Sequence, residues 1–148
     1  RKVSYLKIFA VAGVWSGVTA VIPLLAVEHA FDTNLIVLFV QRLLFVLALI
    51  LPFEIRDVEL DFEHIKTLPQ KIGIEQTKKL GFVLLLFSLT LEFLITDILT
   101  NKNIFLVICF VLLFFLMRSK EKQSKFYSSF WVESLPILWW ILLLGFHN

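Results

Sequence analysis

A single cysteine, Cys109, occurs in 148 residues, so the chain has no internal disulfide. It lies inside an apolar run and is expected to be an inert packing residue. Charged residues are scarce at 18%, where soluble domains carry about 25%. Excess charge of one sign is lacking too: the formal net charge is +2, too small to argue for a polyanionic partner. There is no glycine-rich phosphate loop, no zinc-ligand spacing, no nucleophile motif and no nucleic-acid signature. Internal repeats and low-complexity linkers are missing. No secretory signal is evident, because the first apolar run is too long for a signal core and has no clear small-residue cleavage site.

What remains is apolar. Hydrophobic residues make up 59% of the chain, against about 45–50% in soluble domains. The mean hydropathy is +0.88. These values exclude a disordered chain, a nucleic-acid tail and an ordinary cytosolic enzyme, and leave an integral membrane protein. The chain starts at Arg1 rather than Met. It is expected to be a piece of a longer protein and one transmembrane domain over residues 1–148.

Five apolar segments cover residues 5–27, 34–53, 80–96, 104–117 and 130–146. A helix needs about 20 residues to cross a hydrocarbon core of about 30 Å. The fourth segment is short and needs its flanks, with Arg118 snorkelling to the headgroups. Pro136 is expected to kink the fifth. None alternates as barrel strands do. The expected fold is an all-α membrane bundle of five transmembrane helices. Basic residues set its orientation. Lys7 near the start, Arg56, Lys66, Lys71, Lys78 and Lys79 in the second connection, and Arg118, Lys120, Lys122 and Lys125 in the fourth place these regions inside. His147 falls outside. A multi-pass protein of the cell (inner) membrane follows as the expectation.

Chemistry concentrates after the second segment, in Pro52-Phe53-Glu54-Ile55-Arg56-Asp57-Val58-Glu59-Leu60-Asp61. If the helix continues, Glu54, Asp57 and Asp61 are spaced i, i+3 and i+7 and share a face. Three such carboxylates repel unless a cation, a proton or water intervenes. Mg²⁺ suits them, since it takes hard oxygen ligands and keeps room for substrate phosphates. The plainer reading is the charged end of a membrane helix.

Arg56-Asp57-Val58-Glu59-Leu60-Asp61, then Thr67-Leu68-Pro69 and Lys71-Ile72-Gly73, resembles the second aspartate motif of the UbiA prenyltransferase superfamily. The stretch with Leu6-Lys7-Ile8, Val14-Trp15 and Val18-Thr19 is similar to the helix opening that family's second half. The resemblance implies the last five of nine spans, with the aspartate motif on the cytoplasmic side. It implies transfer of a prenyl group from an allylic diphosphate to a lipophilic acceptor, with Mg²⁺ stabilising the leaving diphosphate. By position, Asp57 and Asp61 carry over as metal ligands, with Glu54 a possible third donor. Lys66, Lys71 and Arg56 are the candidate diphosphate contacts. The implied partners are a prenyl diphosphate, the acceptor, membrane lipids and a first half carrying the other aspartate motif; no nucleic acid is implied. After Asp61 stand Phe62 and Glu63, where many members have a basic pair. In this respect the chain is similar to uncharacterised UbiA-like membrane proteins. The alternatives are a non-catalytic isoprenoid-lipid-binding or membrane assembly protein, and a transporter or channel subunit.

Isolated residues add smaller expectations. Arg42 lies inside the second segment, where an arginine costs about 2.5–3.5 kcal/mol on insertion scales, and Glu92 is its expected ion-pair partner. Phe53 and neighbouring aromatics are placed to shield a cation. Trp139 and Trp140 are expected to pack rather than anchor. Glu133, His64 and the basic-aromatic Lys125-Phe126-Tyr127-Ser128-Ser129 stretch are candidates by residue type.

Overall fold

The structure is a computed structural model that describes residues 3–23, 33–59, 67–94, 102–120, 132 and 134–146. Every regular element among them is helical. In chain order these are α1 (Val3–Ser16), α2 (Thr33–Arg56), α3 (Leu68–Ile72), α4 (Ile74–Leu94), α5 (Lys102–Arg118) and α6 (Leu135–Phe146). The all-α expectation holds at this level.

Among the described residues one helix, α2, is long and apolar enough to cross a membrane; its mean hydropathy reaches 2.6. It is also the hub, packing against α1, α4 and α5. Alternating faces explain this. Phe45, Ala48, Leu51 and Ile55 are buried between the helices, recurring at the three- and four-residue spacing of one helical surface. Helix α5 supplies Phe105, Ile108, Leu112 and Leu116 at the same spacing, all buried.

Much of the outer surface is apolar too. Phe93 is 64% exposed, Phe110 60% and Trp140 62%. Several polar groups turn inward. Ser16, Gln41, Thr77, Ser88 and Glu92 are all buried. Each serine and threonine spends its hydroxyl on a helix carbonyl: Ser16 Oγ on Ala12 O (2.6 Å), Thr77 Oγ1 on Gly73 O (2.9 Å) and Ser88 Oγ on Gln41 O (3.0 Å).

Several segment ends differ from expectation. Helix α4 starts at Ile74, six residues before the apolar run, because Glu75, Gln76, Lys78 and Lys79 extend the helix as readily as leucine does. Pro136 falls in the first turn of α6, and the residues before it lie largely outside the described ones, so the expected kink there falls outside them too. Helix α1 runs on through a π turn at Gly17–Val21, closed by the Ile22 N–H bonding to Gly17 O. Such a turn accommodates one extra residue in an α-helix.

Gly81 lets α2, α4 and α5 meet. A β-carbon there would press on the Leu116 side chain and come within 3.0 Å of Leu51 Cδ1.

Candidate functional site

A cavity of about 720 Å³ lies along α2, with α1 and α6 as its other walls. From α2 it takes Arg42, Phe45, Val46, Leu49, Ile50 and Phe53. These residues fall at i, i+3, i+4, i+7, i+8 and i+11, one continuous helical stripe. At 1.5 Å per residue, Arg42 and Phe53 are about 16 Å apart along the axis. Helix α6 contributes Pro136, Trp139, Trp140 and Leu143 at the same kind of spacing. Val11, Trp15 and Thr19 form the α1 wall, four residues apart. The lining is apolar and aromatic apart from Arg42 and Thr19, and the Thr19 hydroxyl donates to Trp15 O at 2.7 Å.

An aromatic cluster holds one side of this cavity. The Phe45, Phe105 and Trp139 rings meet pairwise at centroid distances of 5.6, 5.5 and 5.4 Å, tilted or edge-on. The Arg42 guanidinium lies over this group, 4.2 Å from the Trp139 centroid and 5.4 Å from that of Phe105. A cation over a ring face is the attractive arrangement. Trp139 therefore packs, as expected, whereas Trp140 is exposed and also lines the cavity.

The expected Arg42–Glu92 ion pair takes another form. Gln41, one position before Arg42, donates from Nε2 to Glu92 Oε2. Arg42 turns to the cavity side of α2, and Glu92 acts on it electrostatically rather than through a recorded hydrogen bond. The depths of the two charges were readable from the sequence; their directions around the helix were not. Cys109 is buried in the α5 core, as expected of a packing residue.

At the other end of the stripe, Phe53 adjoins the carboxylates. Helix α2 does not continue through Asp57. It ends at Arg56, and Asp57–Glu59 tighten into a turn of 3₁₀ helix. The shared face expected for Glu54, Asp57 and Asp61 is thus not an α-helical one across this boundary. Arg56 Nε bonds Asp57 Oδ1 at 2.6 Å, and its guanidinium lies 5.6 Å from the Phe53 centroid. Glu54 and Asp57 are half-buried. Lys71 is exposed on α3. Asp61, His64, Lys66, Lys125-Phe126-Tyr127-Ser128-Ser129 and Glu133 lie outside the described residues.

The Thr-Leu-Pro and Gly elements of the motif have a local structural role. The Thr67 N–H donates to Gln70 Oε1 at 2.9 Å, and Pro69 occupies the first turn of α3. Gln70 Nε2 reaches back to Val58 O at 2.7 Å, tying α3 to the turn that carries Asp57. Gly73 has φ +86°, a conformation other residues rarely adopt, and its N–H bonds Pro69 O at 2.8 Å. The chain can then reverse into α4.

Two hard-oxygen carboxylates, Glu54 and Asp57, come from consecutive elements and follow in sequence on Phe53, the last α2 residue of the cavity lining. That donor type fits Mg²⁺, which needs one or two protein carboxylates beside substrate phosphates. Among the described residues no three metal-ligating side chains converge. No protein-family model, characterised protein or solved structure matches this chain.

The Arg42-to-Phe53 stripe was absent from the sequence-derived site. Its three- and four-residue spacing was visible, but it cannot be told from an ordinary packing face until the opposing helices are known to stand apart.

Proposed function

We propose that this chain forms the second half of a UbiA-type intramembrane prenyltransferase, as a multi-pass bundle of five spans. The membrane reading is supported by the apolar outer surface, including Phe87, Phe93, Phe110 and Trp140. An exterior of exposed aromatic side chains suits lipid as its solvent. On this reading the two shorter apolar helices, Leu6–Val21 and Leu135–Gly145, would be further spans completed by their flanks.

One observation carries the catalytic reading: the apolar stripe from Arg42 to Phe53 ends one residue before Glu54, at the carboxylate-bearing turn. An allylic diphosphate has the same polarity, with an apolar tail and a polyanionic head. Its tail would follow Phe45, Val46, Leu49 and Ile50. Its diphosphate would meet Mg²⁺ held by Asp57 and Asp61, with Glu54 as a third donor. When bound, the ion would offset charge on the departing diphosphate. The apolar walls would keep water from the electron-poor prenyl group. Phe53 would present a ring face beside it, and Lys66, Lys71 and Arg56 would contact phosphate oxygens.

Mg²⁺-dependent binding of geranyl diphosphate to the full-length protein tests this reading. Asp57→Asn and Asp61→Asn should each weaken binding about tenfold or more, the scale of one lost charge-assisted contact. Unchanged binding in both variants overturns it.

The Arg56–Asp57 bridge favours a second reading, a non-catalytic isoprenoid-lipid-binding protein. An aspartate already satisfied by an arginine needs no metal. This reading requires the cavity to bind a neutral isoprenoid alcohol equally with and without Mg²⁺.

A further inference from the structure

We infer that the deep end of the cavity is a binding site for a single-chain carboxylic acid of the fatty-acid class, with Arg42 holding its carboxylate. This goes beyond the prenyltransferase reading and needs neither Mg²⁺ nor the aspartate turn.

Arg42 is a cation in a wall that is otherwise aliphatic and aromatic but for Thr19, fourteen residues before the end of α2. A charge at such a depth is costly unless it meets an opposite charge or hydrogen-bond acceptors. The Trp139 and Phe105 rings address the guanidinium through their π-systems. They leave its N–H groups, five donors in a planar fork, without oxygen partners. Nη1 is buried with no hydrogen-bond partner among the described residues. Glu92 lowers the net charge of the neighbourhood, but its recorded bond is with Gln41. Arg42 itself lines the cavity, and no oxygen of the described residues bonds its guanidinium.

The missing group is an anionic acceptor, and the lining narrows its kind. A carboxylate matches a guanidinium edge with two parallel bonds and brings one negative charge. A diphosphate would bring more charge than one arginine balances, in a cavity with no other described basic residue. The rest of the ligand must be apolar and elongated. From Arg42 the stripe offers Phe45, Val46, Leu49, Ile50 and Phe53 in succession. The volume, about 720 Å³, falls within the ~300–1,000 Å³ of small-molecule sites.

Trp15, Trp139 and Trp140 face the cavity and give the readout. Stearic acid brominated at mid-chain is titrated into the full-length protein in nanodiscs with EDTA present, and tryptophan quenching is followed. The methyl ester of the same acid is the neutral control. The acid should quench saturably, with an affinity about tenfold or more above that of the ester, the scale of one hydrogen-bonded charge contact. Arg42→Gln should abolish that preference by lowering the acid's affinity to that of the ester, and near-UV circular dichroism matching the wild type shows that the variant is folded. Equal affinity of acid and ester in the wild type overturns the assignment and makes the occupant a neutral chain. An acid preference that survives Arg42→Gln overturns it as well. Chelation removes any Mg²⁺-dependent diphosphate site, so the two proposals fail independently.

Discussion

Gln41 and Glu92 are joined inside the bundle by a hydrogen bond from the Gln41 amide to the Glu92 carboxyl, linking α2 to α4. Both side chains are almost fully shielded, at 0% and 2% exposure. Removing a buried donor leaves its acceptor with an uncompensated desolvation cost, whereas removing both partners together can be nearly neutral. Gln41→Leu should therefore destabilise the protein by about 2–3 kcal/mol, and the Gln41→Leu/Glu92→Leu pair should lose less than the two single variants together, although Glu92 is also the carboxylate that acts on Arg42. A double-mutant cycle in denaturant unfolding measures both. Additive losses would contradict the coupling.

Trp139 and Trp140 are adjacent in sequence but should behave differently. Trp139 touches Phe45, Phe105 and Arg42, whereas Trp140 is 62% exposed. Trp139→Ala should cost about 3–5 kcal/mol, as for a large core aromatic. Trp140→Ala should stay within about 1 kcal/mol. Thermal unfolding of the two variants in one detergent compares them directly.

Gly81 should resist substitution where other helical glycines do not. A methyl group there meets Leu116 and Leu51, whereas one at Gly13 meets nothing within 4 Å. Gly81→Ala should cost about 1–2 kcal/mol net, overpacking being partly offset by alanine's helix propensity. Gly13→Ala should be neutral or stabilising by up to about 1 kcal/mol. Leu116→Ala made together with Gly81→Ala should lose less stability than the sum of the two, because the alanine methyl fills part of the space the leucine leaves.

The α3 turn should matter for stability and for ligand binding in separable ways. Gly73→Ala places a β-carbon at φ +86° and should cost about 1–3 kcal/mol. Gln70→Ala removes the bonds to Thr67 N–H and Val58 O. It should cost about 1 kcal/mol of stability. It should also weaken Mg²⁺-dependent geranyl diphosphate binding, since the Asp57 turn loses its tether. Full-strength binding in a folded Gln70→Ala protein would separate that turn from the ligand.

Much of the helical layout was legible because long apolar runs leave few other solutions. The ends were less so. Lys78 and Lys79 read as loop charges yet lie on α4. The error has a physical origin: hydropathy marks where a helix meets apolar surroundings, while propensity and capping set where it begins. The position of Glu54 and Asp57 around the end of α2 was legible. Arg56 bridging to Asp57 was not, because a neighbour's side-chain direction depends on the change from α to 3₁₀ geometry between them. Arg42 was correctly singled out as needing a partner. The choice of Glu92 over the Trp139 face depended on azimuth, which requires the packed neighbours.

The π turn in α1 gives the cavity wall slack in chain length. It takes up one extra residue without turning the helix beyond it, so Thr19 stays on the cavity side with Trp15. Deleting one residue within Gly17–Val21 should therefore straighten α1 into an uninterrupted α-helix and leave its wall facing the cavity. The same deletion in the middle of α2, which has no such turn, would rotate everything beyond it by about 100° and break up the lining stripe.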